Sequence, residues 1–103
     1  MTTIELYEDN AGQLTLKMGD RVISGIERLQ DYKYGAGHFA ATAQDFAQGM
    51  EVGTPCNEYA FDDVKSDFEH KTLIATLDNG KVDVLGEPGF AGQYALGVGR
   101  YAA

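Results

Sequence analysis

Apolar and polar residues alternate at the start of the chain, and that alternation predicts strands. In TTIELYE, Ile4 and Leu6 fall on one face, the period-two signature of a half-buried strand. Asp9-Asn10-Ala11-Gly12 supplies residues that tolerate positive φ and predicts a turn. QLTLKM then places Leu14, Leu16 and Met18 on one face of a second strand, and Gly19-Asp20 predicts another tight turn. RVISGIERL reads as a third strand with Gly25 at a bulge position, completing an antiparallel meander.

The period then changes. QDYKYGAG reads as a loop in which Tyr32 and Tyr34 flank a lysine. In HFAATAQDFAQGM, Phe39, Ala43, Phe46, Ala47 and Met50 form a single helical stripe, rich in alanine as helices prefer. Gly53, Thr54 and Pro55 break it. Asn57 is the expected N-cap of a second helix whose apolar side is Phe61, Val64 and Phe68. The early acids Glu58, Asp62 and Asp63 suit its N-terminal dipole.

KTLIATLDNGKVDVLG carries the clearest local signal. Two β-type runs flank Asp78-Asn79-Gly80, and Asn-Gly fits the type I′ turn of a two-residue hairpin. In GFAGQYALGVGRYAA the spacing of Phe90, Tyr94 and Tyr101 permits a helix, but Gly92, Gly97 and Gly99 each disfavour one by roughly 1 kcal/mol against alanine. Tyr94, Leu96 and Val98 alternate and predict a last strand. The expected fold is α+β: an antiparallel β-sheet with two short helices packed on one face, in the order βββ-αα-βββ.

At 103 residues, of which 44% are hydrophobic and eleven aromatic, the chain is expected to form a single domain over residues 1–103. No apolar run approaches the roughly 18 residues of a membrane span, and MTTIELYEDN lacks a basic segment followed by an apolar one. The expected location is cytoplasmic. A single cysteine, Cys56, cannot form an internal disulfide, in keeping with a reducing compartment, and reads as a bystander thiol rather than a nucleophile.

Charge sharpens the picture. Sixteen acids against eight bases give a net charge of −8, which argues against direct nucleic-acid binding, because phosphate contacts need a basic face. The surplus is concentrated. Asp45, Glu51, Glu58, Asp62, Asp63, Asp67 and Glu69 stand against Lys65 alone, so residues 45–69 carry −6 of the −8. Such a surface suits a basic partner or the imitation of a polyanion.

The other chemistries fit less well. Asp63, Asp67 and His70 share one face of a continuous helix at i, i+4, i+7, a set that suits a divalent cation but gives no closed ligand shell. Acid–base catalysis requires a partly buried carboxylate with a raised pKa, whereas these acids lie opposite the apolar stripe. His38 opens the first helix without a visible nucleophile to serve, and Ser24 and Ser66 lie in no nucleophile-elbow pattern, so no enzyme is expected. Gly35-Ala36-Gly37 before a helix is neither a P-loop nor a dinucleotide fingerprint. Partner binding remains: the seven acids on adjacent helices, with Tyr32, Tyr34 and Tyr59 as aromatic anchors, are expected to occupy a lysine- or arginine-lined groove without a cofactor.

TIELYEDNAGQLTL, with GDRVISGIERL after it, resembles the start of small acidic bacterial and mobile-element proteins that open with a YEDNAG-type hairpin. Short, acidic and without catalytic motifs, the chain also resembles anti-CRISPR proteins, particularly those that block type I surveillance complexes by occupying the DNA path. The likeness covers about the first 30 residues and general character, and carries no functional residue across. It implies a stoichiometric inhibitor, from a phage or mobile element, that binds a basic groove of a Cas protein. The alternatives are a small metal- or ligand-binding module built on Asp63, Asp67 and His70, and a non-catalytic regulatory interaction domain.

Overall fold

The computed structural model describes residues 3–30, 38–50, 52 and 58–99. Their elements run β1 (Ile4–Asp9), β2 (Leu14–Met18), β3 (Arg21–Ser24), α1 (Glu27–Gln30), α2 (Phe39–Ala47), β4 (Glu58–Ala60), α3 (Phe61–Val64), a 3-10 helix (Lys65–His70), β5 (Lys71–Asp78), β6 (Lys81–Val84) and α4 (Phe90–Leu96). The strands form one antiparallel six-stranded sheet in the order β4-β3-β2-β1-β5-β6. The expected α+β class and antiparallel sheet are therefore present.

Alternation sets the two faces of the sheet. Leu6 pairs with Leu16, and Leu16 with Ile23, so these buried residues line one face. Tyr7 pairs with Thr15, and Thr15 with Ser24, which puts them on the other. On the first face α2 buries Phe39, Thr42, Ala43 and Phe46, an i, i+3, i+4, i+7 stripe. Burying a phenylalanine side chain contributes roughly 1.5–3 kcal/mol over leaving it exposed. The stripe stops short of Met50, which is 54% exposed, because Gly49 at φ 84° turns the chain out of the helix.

Four expectations are corrected. The third strand ends at Ser24, where Gly25 adopts φ 66° and turns the chain into α1, burying Ile26 and Leu29 instead. Glu58–Ala60 forms the edge strand β4 rather than the start of a helix, and α3 begins only at Phe61, whose N–H donates to the carbonyl of Asp20. The proposed cap, Asn57, lies outside the described residues.

The two expected helices also do not share a face. Phe68 stacks edge-on against Tyr7 at 4.8 Å, and Phe61 against Phe68 at 5.2 Å, so α3 and the 3-10 helix cover the face opposite α2.

Fourth, the tail is helical. Phe90–Leu96 forms α4, ending at Gly97 in the left-handed conformation that suits a helix C-terminus. Gly92 is buried within it because a Cβ there would fall 2.5 Å from Ile74 Cδ1 and 2.9 Å from Glu8 Oε1. By contrast, the hairpin stands as read: Asn79 (φ 52°) and Gly80 (φ 80°) join β5 to β6 in a type I′ turn. Among the described residues no helix is long and apolar enough to cross a membrane.

Candidate protein-interaction surface

The acidic segment does not form one surface. Asp45, on α2, accepts a 2.7 Å hydrogen bond from Arg28 Nη1. Glu58 Oε1 accepts from both Nε (3.0 Å) and Nη2 (2.7 Å) of Arg21. The same guanidinium donates through Nη1 to the carbonyl of Phe46 and lies 4.3 Å above its ring. Both carboxylates are thus tied to arginines on the α2 side of the sheet, and neither belongs to a free anionic patch. Glu51, Tyr32 and Tyr34 lie outside the described residues, as do Gly35, Ala36, Gly37 and Cys56.

The remaining acids gather on the opposite face. Asp62 and Asp63 stand on α3, Asp67 and Glu69 on the 3-10 helix; all four are exposed, and among the described residues none is in an ion pair. Lys65 is the cation among them. Aromatic packing positions this ledge: Phe68 turns inward onto Tyr7 and Phe61 stacks on Phe68, with Lys17 Nζ 4.7 Å from the Phe61 ring centroid and Lys71 Nζ 5.9 Å from that of Phe68. Lys17 pairs with Glu5 at 3.6 Å, and Lys71 donates to Thr15 Oγ1 at 3.1 Å, so neither is in an ion pair with a carboxylate of the ledge.

The helix type determines how the acids are displayed. An α-helix advances about 100° per residue and a 3-10 helix about 120°. Val64, at φ −128° and ψ 9°, interrupts the chain between α3 and the 3-10 helix, so Asp67 and His70 fall in line at i, i+3 within the latter while Asp63 is set on a separate turn. The shared face expected for Asp63, Asp67 and His70 is lost with it. Among the described residues no three metal-ligating side chains come together.

Tyr59 stands beside the ledge. It pairs with Val22 on β3, which places it on the same face of the sheet as Tyr7, and it is 43% exposed. Between β4 and the 3-10 helix lies a groove of about 360 Å³ lined by Gln13, Val22, Ser24, Tyr59, Val64, Asp67, Phe68 and Lys71. Its lining is mixed: Val22, Tyr59, Val64 and Phe68 are apolar or aromatic, Gln13 and Ser24 are polar, and Asp67 shares the groove with Lys71.

Below the ledge, Tyr7 donates to Glu5 Oε1 at 3.2 Å. Burial, then the Glu5 charge, then this hydrogen bond push its phenol from 10.0 up to about 12. Sequence reading did not single out Tyr7, Phe61 or Phe68 as site supports, although their aromatic character on successive elements was visible. Comparison with known proteins finds no match: no family model, curated protein or solved structure aligns significantly with this chain.

Proposed function

We propose that the protein is a non-catalytic inhibitor that binds a basic nucleic-acid-binding groove of another protein, and blocks it, through the acidic ledge of α3 and the 3-10 helix. One observation carries the reading: Asp62, Asp63, Asp67 and Glu69 are exposed, without an ion pair among the described residues, on a scaffold held by half-buried rings. Carboxylates held in place meet arginines and lysines without first being gathered, which favours fast, steered association. Tyr59 supplies the rigid aromatic contact that a charged surface alone lacks. The resemblance of the chain, short, acidic and without catalytic motifs, to anti-CRISPR proteins points to a Cas protein of a type I surveillance complex as the partner, in the cytoplasm of a bacterial host.

The site is smaller than the charge map of the chain. Asp45 and Glu58 already satisfy arginines, so recruiting them would require breaking those pairs. The contact set is Tyr59, Asp62, Asp63, Asp67 and Glu69.

The test is competition. The full chain is added to a type I surveillance complex with its duplex target, and DNA retention is followed by mobility shift. The wild type displaces the duplex, whereas a variant carrying Asp62→Lys, Asp63→Lys and Asp67→Lys keeps its circular dichroism spectrum and no longer does so. Undisturbed DNA binding by the wild type, or equal inhibition by the folded variant, refutes the reading.

A further inference from the structure

The other edge of the sheet carries a second, separate surface. β6 is the outermost strand next to β5, and all four of its residues are exposed. Leu85 N–H donates to the carbonyl of Ile74 at 2.8 Å, which fixes the phase of the ladder. Because backbone groups alternate in direction along a strand, Lys81 and Asp83 also point theirs toward β5. Val82 and Val84 therefore direct their N–H and C=O groups away from the sheet. Their side chains lie on the same face as Ala75 and Leu77, and with Leu85 they leave three apolar residues exposed at one edge, at 37%, 42% and 40%. A strand edge of this kind is a template for another strand.

We infer that β6 pairs with β6 of a second copy, antiparallel about a two-fold axis, joining the two sheets into one. The side-chain order selects that occupant. With Val82 opposite Val82 of the other copy, the two valines exchange both backbone hydrogen bonds and touch on the apolar face. The same register sets Lys81 opposite Asp83 of the other copy, and Asp83 opposite its Lys81. Each lysine thus faces an aspartate of the other copy, and the intrastrand Lys81–Asp83 pair, at 3.8 Å in the single chain, is replaced by two cross-strand pairs. Sliding one copy to set Asp83 against its own counterpart brings like charges face to face, so electrostatics chooses between registers. An isologous contact of this type closes on itself and stops at two copies. It uses the edge of the sheet farthest from β4 and leaves the acidic ledge open.

Sedimentation equilibrium on the full chain, across a micromolar to millimolar series, tests the inference. The wild type is expected to dimerise. Val82→Pro removes an outward N–H that β5 does not use, and proline is tolerated at such edge positions, so this variant is expected to stay folded and monomeric. Lys81→Asp alone, or Asp83→Lys alone, weakens the dimer by roughly tenfold or more, and the two together restore it. The charge series decides the matter even if the proline variant fails to fold. A wild type that stays monomeric throughout, a dimer that survives Val82→Pro, or single reversals that leave dimerisation unchanged overturns the inference.

Discussion

Glu8 and Gly92 are joined across 84 positions: the Gly92 N–H donates to Glu8 Oε2 at 3.1 Å, while Gly89 N–H donates to Oε1 at 2.6 Å. Glu8 is 8% exposed, so its carboxylate replaces water with the first N–H groups of α4 and fixes that helix to β1. The room for it comes from glycine. At Gly92 a Cβ would meet Ile74, Glu8 and Pro88 Cβ, all within 2.9 Å. Gly92→Ala is therefore expected to destabilise the protein by about 1–3 kcal/mol in urea unfolding, although alanine is the better helix former by roughly 1 kcal/mol. Glu8→Gln leaves one N–H facing an amide donor and is expected to cost about 1–3 kcal/mol by the same measurement. A neutral or stabilising Gly92→Ala would show that the carboxylate moves aside freely.

Arg21 makes a second long-range tie, holding β3, β4 and α2 together through Glu58 and the Phe46 carbonyl. The arginine and glutamate side chains are 36% and 41% exposed, so the ion pair itself contributes less than about 1 kcal/mol. The fork geometry contributes more. Lysine cannot donate to the carboxylate and the carbonyl at once and lie flat on the Phe46 ring. Arg21→Lys is expected to lose about 1–2 kcal/mol, and Glu58→Gln less than about 1 kcal/mol, in denaturant titrations of the two variants. Equal losses would place the energy in the ion pair instead.

These ties explain what could and could not be read from the chain. β1, β2 and the β5–β6 hairpin follow from local signals, period-two alternation and the Asn-Gly turn, and the structure contains them. α4 was hidden because its glycines answer to Glu8 and to the helix end, neither of which is nearby in sequence. The acidic segment was visible as charge density, but its division was not. Arg28 neutralises Asp45 from 17 positions away and Arg21 reaches Glu58 across 37, distances over which composition says nothing about pairing. Periodicity also grouped Phe61 with Phe68, whose rings stand 5.2 Å apart, without revealing which face of the sheet they cover.

Tyr7 gives the fold a high-pH limit. Unfolded, its phenol ionises near 10.0; folded, burial and Glu5 hold it to about 12. Between those values the unfolded chain has released a proton that the folded chain retains, so rising pH favours unfolding. The contribution is complete below pH 10 and is lost as pH climbs toward 12. Melting temperature is expected to fall across that window in the wild type, and less steeply in Tyr7→Phe, which has no phenol to ionise. Parallel curves for the two proteins would mean that the limit arises elsewhere.

Phe68 separates the shape of the acidic ledge from its charge. Its ring is half-buried against Tyr7 and Phe61, and it anchors the 3-10 helix that carries Asp67 and Glu69. Phe68→Ala changes no charge; it is expected to cost about 2 kcal/mol of stability and to release those two acids from a fixed position. Lys65→Ala does the reverse, making the ledge more negative while leaving its aromatic support intact. If inhibition depends on a pre-formed anionic surface, Phe68→Ala weakens competition for the basic groove at least roughly tenfold under conditions where it remains folded, since ordering the acids must then be met at binding. Lys65→Ala competes as well as the wild type or better. A Phe68→Ala variant that competes as well as the wild type in the DNA-displacement measurement would assign the activity to net charge and leave no role for the ordered ledge.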